Sequence, residues 1–299
     1  MNARALAFLV MLLPSLLLGG QSRTIFERTS PYHHIRVIEQ DRIRTLCFDD
    51  ALETSMSLDD PLQGHFEYID YFHMPWLWNT GITSVVMIGL GGGSAQRSFV
   101  HYYPNVRVET VEIDPVVHEV AKAFFAFKES ERQKVNIEDG RVFLRRSQAK
   151  FDLLIVDAYV QNRYGSSIPQ HLATKEFFQI ANERLNTNGI VAYNVIGTTG
   201  GWRSGIIGAI YKTLKAVYPQ VYVFPCRTTQ NVVLLATKAT GRVELAALNA
   251  RADQMIKSER IRLPYFRERL AQFRNTAPLS AAGGMVLTDD YAPVEGLAK

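Results

Sequence analysis

The chain is predicted to be an α/β protein built on a doubly wound, mostly parallel sheet of seven strands, preceded by a small antiparallel β-region. Three observations carry this expectation. Short apolar runs alternate with amphipathic segments along residues 84–217, the pattern of successive βα units. The first of these runs, "VVMIGLGGGS" (85–94), breaks into a glycine turn and then a helix. The last two runs, "VYVFP" (221–225) and "NVVLLAT" (231–237), are separated by only a short turn. Parallel neighbours need a long crossover, so these two form an antiparallel hairpin and one strand of the sheet is reversed.

Composition agrees with a folded domain. At 299 residues and 47% hydrophobic content the chain is long enough to bury a full core. The net charge is +4, and the Lys and Arg residues are scattered rather than clustered, which excludes an electrostatic nucleic-acid surface. Cys47 and Cys226 make neither a metal-ligand pattern nor a disulfide framework and read as two unpaired thiols. His33 and His34 are adjacent, point in different directions and make a poor metal pair, so no metal is expected. There is no internal repeat and no low-complexity tract.

In chain order, the amino terminus "MNARALAFLVMLLPSLLLGGQSR" has one early arginine, an apolar stretch from Ala5 to Leu18 and then small residues. That layout marks residues 1–22 as a signal peptide or membrane anchor. The apolar stretch is short of the roughly 20 residues of a spanning helix, and Pro14 interrupts it. No cysteine follows the small residues, which disfavours a lipoprotein anchor. Residues 24–64 form the β-region, where "HIRVIEQDRIRTLCFDDALETSMSL" (34–58) holds two stretches of strand-like alternation around an "EQDR" turn. From residue 65 to 299 the main domain begins with "HFEYIDYFHMPWLW" (65–78), which has Tyr68, Phe72 and Leu77 at helical spacing.

The core then reads strand 84–89, helix 94–102, strand 106–114, helix 115–127, strand 135–139, helix 140–147 and strand 152–159. A loop, helix 174–185, strand 189–196 and helix 203–217 lead into the closing hairpin.

Sheets of this class bind ligands at the carboxyl ends of their strands. Those ends carry the glycine turn (Gly89, Gly91, Gly92, Gly93) and then Glu112, Asp139 and Asp157. The turn runs G-x-G-x-x-S, with Ser94 at the third glycine position, so alone it also fits an ordinary tight βα turn. Glu112 lies 23 positions beyond Gly89, near the spacing at which an acid accepts ribose hydroxyls. Asp139, followed by Gly140, is placed for an adenine amino group, and Asp157 for whatever lies beyond the nucleoside. Any one of these acids serves equally well as a helix N-cap; three in register with a glycine turn point to a nucleoside site.

The pieces "GLGGGS" (89–94), "VEIDP" (111–115), "EDGRVFL" (138–144) and "LLIVDAY" (153–159) resemble the motif series of class I S-adenosylmethionine-dependent transferases. Within that group the chain resembles the spermidine synthases, or polyamine aminopropyltransferases, and their bacterial spermidine synthase-like relatives. The likeness spans Ser30 to Glu295 and includes "SPYHHIRVIEQ", "YIDYFHMP", "IPQHLATKEFF" (168–178) and "LTDDYAPVE" (287–295). It implies a Rossmann-like methyltransferase fold with no permanently bound cofactor. Decarboxylated S-adenosylmethionine, or S-adenosylmethionine itself, would be the co-substrate, and a diamine the small-molecule partner.

By the same resemblance, the glycine turn (Gly89, Gly91, Gly93) and Glu112 hold the methionine-side atoms and ribose of the donor, and Asp139 with Gly140 the adenine. Tyr68 and Asp70 fall beside the amine acceptor, Tyr159 offers an aromatic face to a cation, and Asp157 matches the first acid of the gate loop. Active relatives carry a second aspartate soon after the first, as the amine's general base. Here the loop reads "DAYVQNRYGSSIP" (157–169), with Ser166 and Ser167 before Ile168 and no second acid. His33 and Glu53 replace two glutamines of the family pattern. Glu53, Asp70 and Asp157 are the acids left to take the base's place.

The resemblance therefore admits aminopropyl transfer, methyl transfer on the same fold, or a non-catalytic nucleoside- or polyamine-binding module. Nothing marks a hydride-transfer site. The leader implies export or membrane anchoring, with the domain on the cytoplasmic face if it is catalytic, and the free edges of the β-region leave a homodimer open.

Overall fold

Alternation within the strands divides the core. In the computed structural model, which describes residues 21–162 and 165–298, Val86 and Ile88 face one side of the central sheet and Val85 and Met87 the other. The leader expected over residues 1–22 lies outside the described residues except for Gln21 and Ser22.

The amino-terminal β-region is richer than the two stretches expected. It is a four-stranded antiparallel sheet of β1 (Arg23–Thr29), β2 (His34–Gln40), β3 (Ile43–Phe48) and β4 (Ala51–Ser57), paired in sequence order. The sequence reading merged β3 and β4 because only Asp49 and Asp50 separate them, and Asp49 turns the chain with a positive φ. A short helix, α1 (Tyr68–Tyr71), and a 3₁₀ turn (Met74–Leu77) replace the longer helix suggested for 65–78, with Pro75 at the break.

The central domain follows as β5 (Ser84–Ile88), α2 (Ser94–Tyr102), β6 (Arg107–Glu112), α3 (Pro115–Phe124), β7 (Gln133–Ile137), α4 (Gly140–Arg146) and β8 (Phe151–Val156). A two-stranded hairpin, β9 (Val160–Asn162) and β10 (Gly165–Ser167), rises from the end of β8. Then come α5 (Lys175–Arg184), β11 (Leu185–Ile196), α6 (Gly205–Lys215), β12 (Gln220–Pro225) and β13 (Asn231–Thr237). The seven-stranded sheet has the order β12-β13-β11-β8-β5-β6-β7. β13 runs antiparallel to both neighbours and the other registered pairs are parallel, so one strand is reversed as expected. Three further helices, α7 (Leu245–Lys257), α8 (Phe266–Leu270) and the short α9 (Val294–Leu297), go beyond the expectation.

One face of the sheet is covered by α4, α5 and α6. The other is covered by α1, α2, α7 and α8. The amino-terminal sheet instead packs Ile35, Val37 and Leu46 against Val117, Val120 and Ala121 of α3. That contact swings β3 and β4 over the carboxyl ends of the strands, where the site is built. No helix among the described residues is long and apolar enough to cross a membrane.

Candidate active site

A cavity of about 150 Å³ opens at the carboxyl ends of β5, β6, β7 and β8, roofed by residues of the amino-terminal sheet and flanked by α1. Gly89, Gly91, Glu112, Asp139, Gly140, Asp157, Glu53, Tyr68 and Tyr159 all line it. Two of the expected site residues, Gly93 and Asp70, do not.

The glycine turn works differently from a simple cradle of free amides. Gly89 N–H donates to the Val111 carbonyl, Leu90 N–H to Glu112, Gly92 N–H to Thr54 Oγ1 and Gly93 N–H to the Leu90 carbonyl. Those amides are satisfied inside the protein, so the turn's main offering is an approach free of side chains. Gly89 has φ near +101°, and a Cβ there would lie 2.0 Å from the Asp157 carbonyl oxygen. Gly93 caps α2 in the left-handed region (φ 74°) and packs against Phe127. Its role is to start the helix. Gly140 reaches the cavity, but a side chain there would strike Ile88 at 2.5 Å, so close helix–strand packing alone demands its glycine.

Glu112 is buried and held by the backbone. Oε2 accepts from Leu90 N–H and Oε1 from Asp114 N–H, each at 2.9 Å. Burial pushes its pKa up to about 7, while the backbone donors pull the other way. A fixed, desolvated carboxylate is well suited to accept hydroxyls. Asp139 does two jobs: Oδ1 caps α4 by accepting from Val142 N–H at 2.9 Å, and Oδ2 meets His171 Nε2 at 2.7 Å. Its place at the cavity wall is as expected, with the capping role added.

Asp157 and Glu53 sit on facing elements. Asp157 Oδ1 accepts from Asn194 Nδ2 at 2.9 Å, and the Tyr68 phenol lines the same cavity. Burial pushes the Asp157 pKa up to about 6. Glu53, from β4, accepts on Oε1 from Gln161 Nε2 at 3.3 Å and from Ser166 Oγ at 3.4 Å, both on the β9–β10 hairpin. Burial first, and then repulsion from Asp157, raise Glu53 to about 7. Tyr159 donates its hydroxyl to the Asn194 carbonyl at 2.8 Å and presents its ring to the cavity. His33 also lines the wall, stacked on Phe48 at 4.1 Å, and burial lowers its pKa. Its Nδ1 has no hydrogen-bond partner among the described residues.

Asp70 is a correction. It lies on a second, separate pocket, where His65 Nε2 meets Oδ1 at 2.8 Å and Arg269 Nε donates to Oδ2 at 2.9 Å. Burial opposes ionisation, but His65 and Arg269 outweigh it and hold the carboxyl below its ordinary value. The reason is helical geometry: positions two apart project to nearly opposite faces, so Tyr68 and Asp70 cannot serve one ligand. Sequence reasoning also missed Asn194, which orients Asp157. Its signal was a polar residue inside the apolar run "GIVAYNVI" (189–196), where burial demands a partner.

The comparisons with known proteins agree with this geometry. Residues 66–246 match the family model for the spermine/spermidine synthase domain. A polyamine aminopropyltransferase of Vibrio vulnificus is 27% identical over 286 residues, covering 92% of this chain and 91% of that protein. Among solved structures, a spermidine synthase in complex with the transition state analogue AdoDATO superposes with a TM-score of 0.66 at 20% identity, over 84% of each chain. Human methyltransferase-like protein 13 in complex with SAH gives 0.55 at 24% identity, over 66% of this chain and 90% of that one. These two likenesses establish the fold.

Proposed function

The chain belongs to the spermine/spermidine synthase family, and we propose that it transfers an aminopropyl group from decarboxylated S-adenosylmethionine to a small diamine. The observation that carries this reading is the charge of the cavity. Glu53, Glu112, Glu138, Asp139 and Asp157 line it, and among the described residues no Lys or Arg does. Among those residues Glu138 is the one acid of the five with an arginine partner, Arg146, which reaches it from the exposed face of α4. A sulfonium nucleoside without its carboxylate and a protonated diamine are both cations that such a wall attracts. The carboxylate of ordinary S-adenosylmethionine would meet repulsion, and among the described residues of the wall no guanidinium or ammonium to hold it.

In this reading Glu112 accepts the ribose hydroxyls and Asp139 the adenine amino group. The donor's sulfonium then faces the space between Tyr68, Asp157 and Glu53. Tyr68 and Tyr159 flank the cationic chain of the diamine, and Asp157, fixed by Asn194, holds the reacting end. The nitrogen gives up a proton and attacks the aminopropyl carbon bonded to sulfur. A C–N bond forms, the C–S electron pair returns to sulfur, and a neutral thioether nucleoside leaves.

The test is product analysis with purified full-length protein, each sulfonium donor and a set of short aliphatic diamines. Release of the methylthio nucleoside that needs both the decarboxylated donor and a diamine is the expected result. Methyl transfer from ordinary S-adenosylmethionine, or binding without turnover, would replace this reading with another. For residues 1–22 we propose a tether that keeps the domain on the cytoplasmic face, where the sulfonium donor is made. Loss of membrane association in a chain starting at Gln21 would support it, and equal solubility of both forms would remove it.

A further inference from the structure

The family resemblance leaves a chemical gap: a protonated amine must lose a proton before it attacks, and the gate loop supplies only Ser166 and Ser167 where a second acid is expected. A serine hydroxyl cannot take a proton from an ammonium near neutral pH. The structure fills the gap from another part of the chain. We propose that Glu53, delivered over the cavity by β4, is the proton acceptor for the attacking amine, with Asp157 as the anchor that holds it. This rests on the aminopropyl-transfer reading above.

The three acids open to the role separate on geometry. Asp70 is tied to His65 and Arg269 and lies on a different pocket. Asp157 lines the cavity, but Asn194 donates to its Oδ1 at 2.9 Å. That short bond fixes the carboxylate and favours its charged form, which suits an anchor. Glu53 has only the two long contacts from Gln161 and Ser166, and both converge on Oε1. Among the described residues no donor meets Oε2, the oxygen left to receive a proton.

Ser166 therefore keeps a part in the arrangement. It stands in the loop where the family's acid is expected, and its hydroxyl is aimed at Glu53. The catalytic carboxylate has moved from the loop to the sheet that covers the loop, and the hairpin now orients it. The hydrogen bond between Gln161 and Ser166 joins the two strands of that hairpin side by side beneath Glu53.

The electrostatic surroundings agree. The groups facing Glu53 are Asp157 from the end of β8, Tyr68 from α1, Tyr159 before the hairpin and Cys47 from β3, with no cation among them. Glu53 consequently holds its proton up to about pH 7 in the empty cavity. A dicationic donor and a protonated diamine favour its ionised form, so binding readies the base. The step balances: one proton passes from the ammonium to Glu53, the freed electron pair makes the C–N bond, and sulfur takes the C–S pair. Net charge is conserved: the sulfonium's charge passes to the new secondary ammonium, the product's two terminal ammonium groups are carried over unchanged, and Glu53 becomes neutral.

Glu53→Gln in the full chain tests this, because it keeps both hairpin contacts within reach and removes the basic oxygen. We expect diamine-dependent turnover to fall about a hundredfold or more, with calorimetric affinity for the decarboxylated donor and the thermal midpoint little changed. The rising limb of the wild-type pH profile of kcat/KM near pH 7 should vanish. Adding Ser166→Asp to the Glu53→Gln chain should restore turnover by returning a carboxylate to the loop. Wild-type turnover with a Glu53→Gln rate within a few-fold of it overturns this proposal alone. So does a loss matched by an equal loss of donor affinity with the pH limb intact. A wild-type chain with no aminopropyl transfer to any diamine overturns the parent reading and this one together.

Discussion

Two pairs of acids, one on α1 and its N-cap and one at the cavity beside it, have opposite fates. On one side Glu67 and Asp70 are buried and saturated. Glu67 accepts from the Arg227 and Thr228 amides, the Thr228 hydroxyl and the Tyr71 phenol, and pairs with Arg269 at 3.1 Å. Arg269 and His65 complete Asp70. Burial acts to raise both pKa values, but those partners outweigh it and both carboxyls are held low. On the other side Glu53 and Asp157 are half-buried at the cavity, have neutral donors only among the described residues, and are pushed up to about 7 and about 6. Charge is shared; the supply of cations and donors differs. A carboxylate pair that the chain completes itself is structural, and a pair it leaves without a cation is set to receive one.

That contrast predicts opposite consequences for disruption. The largest effect is expected at Asp157. Asp157→Asn keeps the shape and the Asn194 contact but removes the charge that holds the amine. Turnover should fall by about 10²–10³, the worth of a buried charge partner of roughly 3–4 kcal/mol. The melting temperature should stay level or rise, since a desolvated charge is gone. An active Asp157→Asn enzyme would break the functional half of the comparison. The structural half is broken at Arg269. Arg269→Met strands two buried carboxylates and should cost about 3–5 kcal/mol of stability. KM for the diamine should hardly move in the fraction that stays folded. A stable Arg269→Met protein with altered KM would mean that the two pockets communicate.

The same contrast shows what the sequence could and could not disclose. All seven strands of the central sheet and the reversal of β13 were legible, because most of the buried strands are near-continuous apolar runs, β6 and β7 fall in step with the βα alternation, and a short turn permits only a hairpin. Glu112, Asp139 and Asp157 were legible for the related reason that strand ends are chemically privileged in this architecture. Arg269 was not. It reaches Asp70 from α8, 199 residues away, and no local pattern encodes that pairing. The exclusion of Asp70 was readable in principle, since it sits two residues from Tyr68 on a helix. Assigning both residues to the amine followed the motif and overlooked the helical period. The hairpin at 160–167 escaped notice because its strands have three residues each and carry no apolar alternation.

A third, smaller effect sharpens the description of the functional side. Glu112 resembles Glu53 in being desolvated to a pKa of about 7, yet it is bonded by backbone amides and serves the nucleoside. Glu112→Ala should weaken binding of the sulfonium nucleoside by roughly 2–4 kcal/mol through loss of charge-assisted bonds to the ribose. Isothermal titration on the folded variant measures this. Unchanged affinity would remove Glu112 from the site and leave it as a brace for the Leu90 turn.

The smallest effect is a proton count, and it addresses both acid pairs at once. Glu53, Glu112 and Asp157 have folded-state pKa values of about 7, 7 and 6, above their ordinary values of 4.5, 4.5 and 3.8. The folded chain therefore binds more protons than the unfolded chain between about pH 4 and 7, and stability falls as pH rises through that window. Glu67 and Asp70, held low, act in the other direction: their stabilising contribution is present above about pH 4.5 and is lost as pH drops below it. From these groups the ligand-free protein should gain stability on acidification from neutrality to about pH 4.5, with a slope of about 2 kcal/mol per pH unit between pH 6 and 7. Cationic ligands reverse the upper part of that slope, because they stabilise the ionised forms of Glu53 and Asp157. Binding of the decarboxylated donor with a diamine at pH 6.5 should release roughly one proton. Titrations in two buffers of different ionisation enthalpy read this directly. The release should shrink toward zero by pH 8 and disappear in a Glu53→Gln/Asp157→Asn chain that still binds the nucleoside. Arg269→Met should leave it intact, since the acids on that side of α1 are already ionised. Proton release that survives loss of Glu53 and Asp157 would place the titrating groups elsewhere and dissolve the distinction between the two pairs.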